Sequence, residues 1–142
     1  MFVQGSKNHG NLVNKKRVFI SDVKDENSLD CIVSKVKIVQ IAQNVNNAGT
    51  NVRKPTIDYT AEEYAKVTNT NLDFVYHLTQ LAYSLLKESG NGSIVFNSSV
   101  ASLTSVGSGS IYALSKAAVN HLTKSLACEW AKDNIRSNCV TP

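Results

Sequence analysis

The feature that most constrains this chain is a repeated alternation of short, buried-type strands with long amphipathic helices. IVQIAQNVN (38–46) reads as a strand that ends in the turn signal Asn46-Asn47-Ala48-Gly49. From about Ala61 to Glu88, the apolar residues Val67, Phe74, Val75, Leu78, Leu81, Ala82 and Leu85 recur at helical spacing. Thr60 and Glu63 have capping-box spacing at the start of that helix, and Gly90 marks its end. SIVFNS (93–98) predicts the next strand, and a Ser/Gly-rich loop (102–110) leads into a second helix over about 110–131. RSNCV (136–140) predicts a further strand, while RVFIS (17–21) and a helical pattern over about 25–36 extend the alternation upstream. This order favours a parallel sheet with helices on both faces, the doubly wound α/β class. Residues 1–16 are polar and read as an irregular leader, which leaves 17–142 as one partial domain.

Composition narrows the function. The net charge of +4 comes from scattered basic residues with no dense cluster, which argues against nucleic acid as a partner. No apolar run is long enough to span a bilayer and the amino terminus has no signal region, so the expectation is a cytoplasmic protein without membrane contact. Cys31, Cys128 and Cys139 are odd in number and far apart, so neither a disulfide framework nor a metal site is expected. His9, His77 and His121 have no Ser or Asp partner at triad spacing, and a GxSxG motif is absent.

Two residues stand out chemically. Tyr112 and Lys116 are spaced i, i+4 and share one face of the second long helix. A tyrosine hydroxyl titrates near 10, and lowering such a value to about 7 requires roughly 4 kcal/mol in favour of the phenolate. An ammonium about 4 Å away supplies that much at an effective dielectric near 20, but only about 1 kcal/mol in bulk water. The pair therefore needs a cleft that excludes water. Chance alone gives about 0.4 such Tyr–Lys pairs in this chain, and a second one exists, Tyr83–Lys87. Their surroundings separate them. Ser99 lies 13 residues before Tyr112 at a strand end, with a loop between them that lets the two hydroxyls meet. The hydroxyl 13 residues before Tyr83, on Thr70, shares a continuous helix with it and lies roughly 20 Å away. Tyr83–Lys87 reads as a surface pair.

Asn46-Asn47-Ala48-Gly49, Asn71, Ser98-Ser99 and Tyr112-x-x-x-Lys116, in this order and spacing, resemble a short-chain dehydrogenase/reductase of the classical type. NNAGTNVRKPT (46–56) and LACEWAKDNIRSN (126–138) resemble its tropinone-reductase-like branch in plants. The resemblance implies a Rossmann-type fold and reduction of a small ketone, cyclic or bicyclic in this branch, with NADP(H) in preference to NAD(H). Tyr112 is then the general acid, and Lys116 lowers its pKa and holds the nicotinamide ribose. Ser99 hydrogen-bonds the carbonyl oxygen, and Asn71 holds a water that reconnects Lys116 to solvent. Asn47, Ala48 and Gly49 approach the cofactor through backbone, Asp22 and Val23 match an adenine contact, and Pro142 begins a segment closing over the nicotinamide. Asp22 also fits a simple helix cap. The resemblance also implies a homodimer or homotetramer formed through helices 61–88 and 110–131, with Trp130 near one end of the contact.

The sequence departs from this pattern. None of its seven glycines forms the Gly-rich phosphate turn that opens such domains, and the first two strands and the carboxyl-terminal strand have no counterpart. The chain thus reads as an internal piece, truncated at both ends. Removing the first two strands opens a gap in the sheet, so the strand at 17–21 must either dock directly beside 38–46 or hang loose. Gln43, Asn44 and Asn97 fall where apolar residues are usual, and an unpaired buried amide costs roughly 1–3 kcal/mol, which predicts a marginally stable fold. The alternative function is a catalytically inactive fragment that keeps only a dimerisation surface. Arg53 and Lys54 add two positive charges at the pocket mouth and are expected to disfavour a cationic ketone.

Overall fold

The computed structural model describes residues 17–21 and 41–142. The leader 1–16, Asp22, Val23, the predicted helix at 25–36, Cys31 and the start of the 38–46 strand lie outside the described residues. Strand β1 is Arg17–Ser21 and β2 is Ile41–Asn46. Helix α1 (Ala61–Thr68) runs through a π-helical turn (Asn69–Asp73) into α2 (Phe74–Glu88). Then come β3 (Gly92–Asn97), α3 (Ser110–Glu129) and β4 (Ile135–Val140).

The four strands form one parallel sheet in the order β1-β2-β3-β4. β1 pairs directly with β2, Ser21 opposite Asn46, after a register shift between Arg17 and Val18. Of the two arrangements open to β1, the chain adopts direct docking. Parallel pairing is in phase across β2, β3 and β4, so Asn44, Ile94 and Ser137 share one row and Asn46, Phe96 and Cys139 another. Ile94 and Phe96 on that face are fully buried beneath Val75, Ala82 and Leu86 of α2 and Val119 and Leu126 of α3. At roughly 1.5–3 kcal/mol per fully buried large apolar side chain, this layer is the main term holding the helices on the sheet. Among the described residues, no helix is long and apolar enough to cross a membrane.

The helix expected over 61–88 forms with its Thr60–Glu63 capping box in place, each residue's side chain bonding the other's backbone. Two details differ from expectation. The π turn interrupts it: the Phe74 amide donates to Asn69 O, five residues back. The extra residue of an i→i+5 turn shifts the helical phase after it, and no residue in the sequence marks where that shift falls. Leu81, expected on the core face, is exposed, and Leu86 takes a fully buried position instead. Trp130 is buried against the Tyr83 ring, with centroids 4.8 Å apart, so it belongs to the core.

The out-of-place amides mostly satisfy one another. Asn46 Nδ2 donates to Asn44 Oδ1 at 2.6 Å, Asn97 Nδ2 donates to Asn47 Oδ1 at 2.7 Å, and Gln43 is only half-buried. Among the described residues, two buried oxygens have no partner, Asn46 Oδ1 and Ser137 Oγ. The cost thus falls on a different residue set from the one the sequence suggests. Because Ser137 Oγ is buried without a partner among the described residues, Ser137→Ala is expected to raise stability by about 1 kcal/mol in urea melting.

Tyr83, Lys87 and Asp133 fasten the end of α2 to the turn before β4. The Tyr83 hydroxyl donates to Asp133 Oδ2 at 2.7 Å, and Lys87 Nζ lies 2.8 Å from Asp133 Oδ1. Hydrogen bonds from Lys87 and then Tyr83 hold the Asp133 carboxyl below its ordinary value. A depressed carboxyl pKa contributes stability above the unfolded value of about 3.9 and loses it as pH falls through the folded value. Asp133→Asn is therefore expected to destabilise at neutral pH, and its melting curve should converge on wild type in strong acid.

Candidate active site

The site is assembled at the carboxyl ends of β2 and β3, where parallel sheets place their ligand-binding loops. Asn71 is the hub. It sits in the π turn, almost completely buried, and its amide is used on both sides. Its Oδ1 accepts from the Thr50 amide at 2.8 Å, and its Nδ2 donates to Thr50 O at 2.9 Å and to Ser115 Oγ at 3.0 Å. Ser115 in turn donates to Tyr112 O at 2.7 Å. The loop after β2, the π turn and the first turns of α3 are therefore connected through one side chain.

Lys116 is buried, and its ammonium donates to Asn97 O, at the end of β3, at 2.7 Å. No carboxylate pairs with it among the described residues. Desolvation alone pushes its pKa below the ordinary lysine value. The ammonium lies 5.7 Å from the centre of the Tyr112 ring. Gly49 borders the same spot: a Cβ built there would stand 3.5 Å from Lys116 Nζ and 3.6 Å from Asn71 Oδ1. Those are ordinary contacts, so neither the fold nor the backbone angle demands glycine at that position.

The remaining predicted residues occupy the rim. Ser98 is buried and donates to Lys116 O at 3.1 Å, anchoring α3 to the end of β3. Ser99 begins a single 3₁₀ turn, and its hydroxyl accepts from the Ala101 amide at 3.3 Å. Among the described residues, neither that hydroxyl nor any other protein group is hydrogen-bonded to the Tyr112 hydroxyl. Asn47 and Ala48 follow β2 directly, and Pro142 accepts from the Val100 amide at 2.9 Å, one residue beyond Ser99. Asp22 and Val23 lie outside the described residues.

Sequence reasoning missed Ser115, Thr50 and the Asn97 carbonyl. Ser115 carried a readable signal, because it sits i, i+3 from Tyr112 on the same helix; the other two act through backbone and leave none. A groove of about 650 Å³ lies between Lys54–Thr56, the 101–110 loop and Ala113, Leu114 and Ala117 of α3. It shares no lining residue with the group formed by Asn71, Ser99, Tyr112 and Lys116, so volume is not what marks the reactive spot. Lys54 at its edge is 2.5 Å from Glu63 Oε1. Its charge is compensated, which leaves Arg53 alone of the two cations expected at the pocket mouth.

A buried ammonium costs stability below its folded pKa, and the cost is relieved as pH rises from there toward about 10.4. Wild-type stability measured against Lys116→Met is therefore expected to improve as pH rises through the folded value toward about 10.4.

A profile described as short chain dehydrogenase matches residues 3–142. A tropinone reductase homolog of Arabidopsis thaliana is 63% identical over 98 residues, 69% of this chain and 37% of that protein. A tropinone reductase homolog of Datura stramonium is 57% identical over the same share of each. The chain thus spans less than two fifths of the length of these relatives. Among solved structures, a short chain dehydrogenase of Leptospira borgpetersenii with bound NAD+ superposes with a TM-score of 0.78 at 30% identity, covering 86% of this chain and 51% of that one. L-sorbose reductase of Gluconobacter frateurii, complexed with NADPH and L-sorbose, gives 0.79 at 28% identity, covering 86% and 47%. With the profile match across nearly its whole length and these identities, the chain belongs to the short chain dehydrogenase family, in its tropinone-reductase-like branch.

Proposed function

We propose that this chain carries the proton-transfer half of an oxidoreductase that reduces a small ketone, cyclic in this branch, to a secondary alcohol. The observation that carries the reading is the buried Lys116 ammonium beside the Tyr112 ring, bonded to a carbonyl and, among the described residues, to no carboxylate. An ammonium neutralised by a carboxylate would lend the tyrosine little; this one keeps its field. Tyr112 acts as general acid toward the carbonyl oxygen, and its hydroxyl has no protein partner to be broken first among the described residues. Ser99, freed from its weak bond to the Ala101 amide, donates to the same oxygen. Lys116 stabilises the tyrosinate that remains, and Asn71 connects Lys116 to solvent for reprotonation.

The residues suit a nicotinamide nucleotide; the preference for NADP(H) over NAD(H) rests on the resemblance to this branch alone. Gly49 is supported as a contact because the fold alone does not require a glycine there, which leaves close approach by a ligand as its use. Asn47, Ala48 and Gly49 would hold the nucleotide through backbone, with Lys116 on its ribose, Pro142 beside the ring, and Asp22 and Val23 at the adenine. Such a cofactor supplies the hydride; everything else falls to the chain. The exposed Tyr76 and Leu81 of α2 and Leu114 of α3 support a homodimer or homotetramer through these helices.

Titration of NADPH fluorescence tests the reading: saturable micromolar binding is expected, weakened in Lys116→Met. Tyr112→Phe should retain binding while reduction of small cyclic ketones falls about 10²–10⁴-fold. Absence of binding up to millimolar NADPH would leave an inactive fragment as the answer.

A further inference from the structure

The segment Thr50–Tyr59 is irregular apart from one 3₁₀ turn, yet it is fixed at both ends and along its length. Thr50 is held through both backbone groups by Asn71. At the far end Glu63 takes Lys54 Nζ on Oε1 and the Thr60 amide on Oε2. Between these anchors the segment grips the start of α3. Asn51 Nδ2 donates to Ser108 O at 2.8 Å, and Thr56 Oγ1 donates to Ser110 Oγ at 3.0 Å.

The centre of the grip is Tyr59 against Gly109. The Tyr59 hydroxyl donates to Val52 O at 2.7 Å and accepts from the Lys54 amide at 3.3 Å, which curls the segment around the phenol. Gly109 has φ +95°, and a Cβ on it would collide with the Tyr59 hydroxyl and stand 3.1 Å from Val52 O. The left-handed angle and the lack of space both exclude other residues. Gly109 O is also the acceptor for the Ala113 amide in the first turn of α3, the turn that contains Tyr112.

We propose that Tyr59 is a positioning residue: by seating on Gly109 it fixes the first turn of α3 and thereby the direction in which Tyr112 presents its hydroxyl. The inference rests on Tyr112 being the general acid. Tyr59 touches no reacting atom, and it acts through Gly109 and the Ala113 hydrogen bond. A displacement of about 1 Å at a reacting group can cost on the order of 100-fold in rate, so a loop contact of this kind is sufficient to matter.

Amide hydrogen exchange on the full chain separates positioning from bulk stability. In Tyr59→Phe, exchange at Ala113 is expected to rise about fivefold while Thr123, deep in the same helix, is unchanged. Ile57→Ala, a neighbour exposed by 91%, should alter neither. Equal acceleration at Ala113 and Thr123, or none at Ala113, would overturn the proposal. If Tyr59→Phe does not fold, Thr56→Val removes the surface part of the same grip and should shift Ala113 in the same direction. With NADPH and a cyclic ketone, kcat is expected to fall about tenfold in Tyr59→Phe with the KM for NADPH unchanged. A wild-type kcat in that variant sinks the positioning role. A wild type without turnover sinks the reductase reading instead, and the exchange data alone then decide whether Tyr59 holds the helix.

Discussion

The amide of Asn71 is the interaction on which the site depends. One primary amide offers two donors and an acceptor, and here they bind both backbone groups of Thr50 and the hydroxyl of Ser115. The two partner residues belong to different elements, the loop leaving β2 and α3, and Asn71 itself to the π turn. The arrangement is buried, so a lost bond is not replaced by water, and removing one partner costs about 1–3 kcal/mol rather than the smaller net value of an exposed bond. The π turn makes this possible. One extra residue in the turn moves the Asn71 side chain relative to a straight helix, and π turns recur where an element must both pack and serve chemistry.

That hub places constraints in two directions. Toward the sheet, Ser98 donates to Lys116 O and Lys116 Nζ donates to Asn97 O, so α3 is attached to the end of β3 through both ends of one lysine residue. Toward the outside, Thr50 begins the segment that grips Ser108 and Ser110. The helix carrying Tyr112 is therefore fixed from beneath by β3 and from the side by the post-β2 loop. Apolar packing under α2 and α3 supplies the stability, while these few polar bonds determine where the reactive groups stand.

Much of this was legible in the sequence, because the relevant signals are local. Alternating strand and helix periods place β3, β4 and the long helices nearly at their observed bounds and β2 at its carboxyl end, and the Thr60–Glu63 box forms as its spacing implies. What escaped were features in which one position answers to a distant one. Leu81 and Leu86 lie five residues apart on one helix, and only the location of the sheet decides which is buried. Asn97 looks like an isolated polar error until strand register brings it beside Asn47, while Asn44 finds its partner two residues along the same strand, in Asn46. Direct docking of β1 on β2 depends on which edges are free, a property of the whole sheet.

The two Tyr-x-x-x-Lys pairs make the same point in chemical terms. In both, the ammonium lies 5.7 Å from its tyrosine ring centre, although only Lys87 also reaches its tyrosine hydroxyl, at 3.5 Å. Their environments differ in sign. Lys87 is exposed and bonded to Asp133, which raises its pKa and spends its charge on a carboxylate, while the Tyr83 hydroxyl is committed to that same carboxylate. Lys116 is buried with a single carbonyl, its pKa is lowered by desolvation, and the Tyr112 hydroxyl is uncommitted among the described residues. A carboxylate within hydrogen-bond reach turns the motif into a structural clasp, and a dry carbonyl in its place leaves the lysine's field directed at the tyrosine. What makes a Tyr–Lys pair a candidate acid is therefore the third group that contacts the lysine.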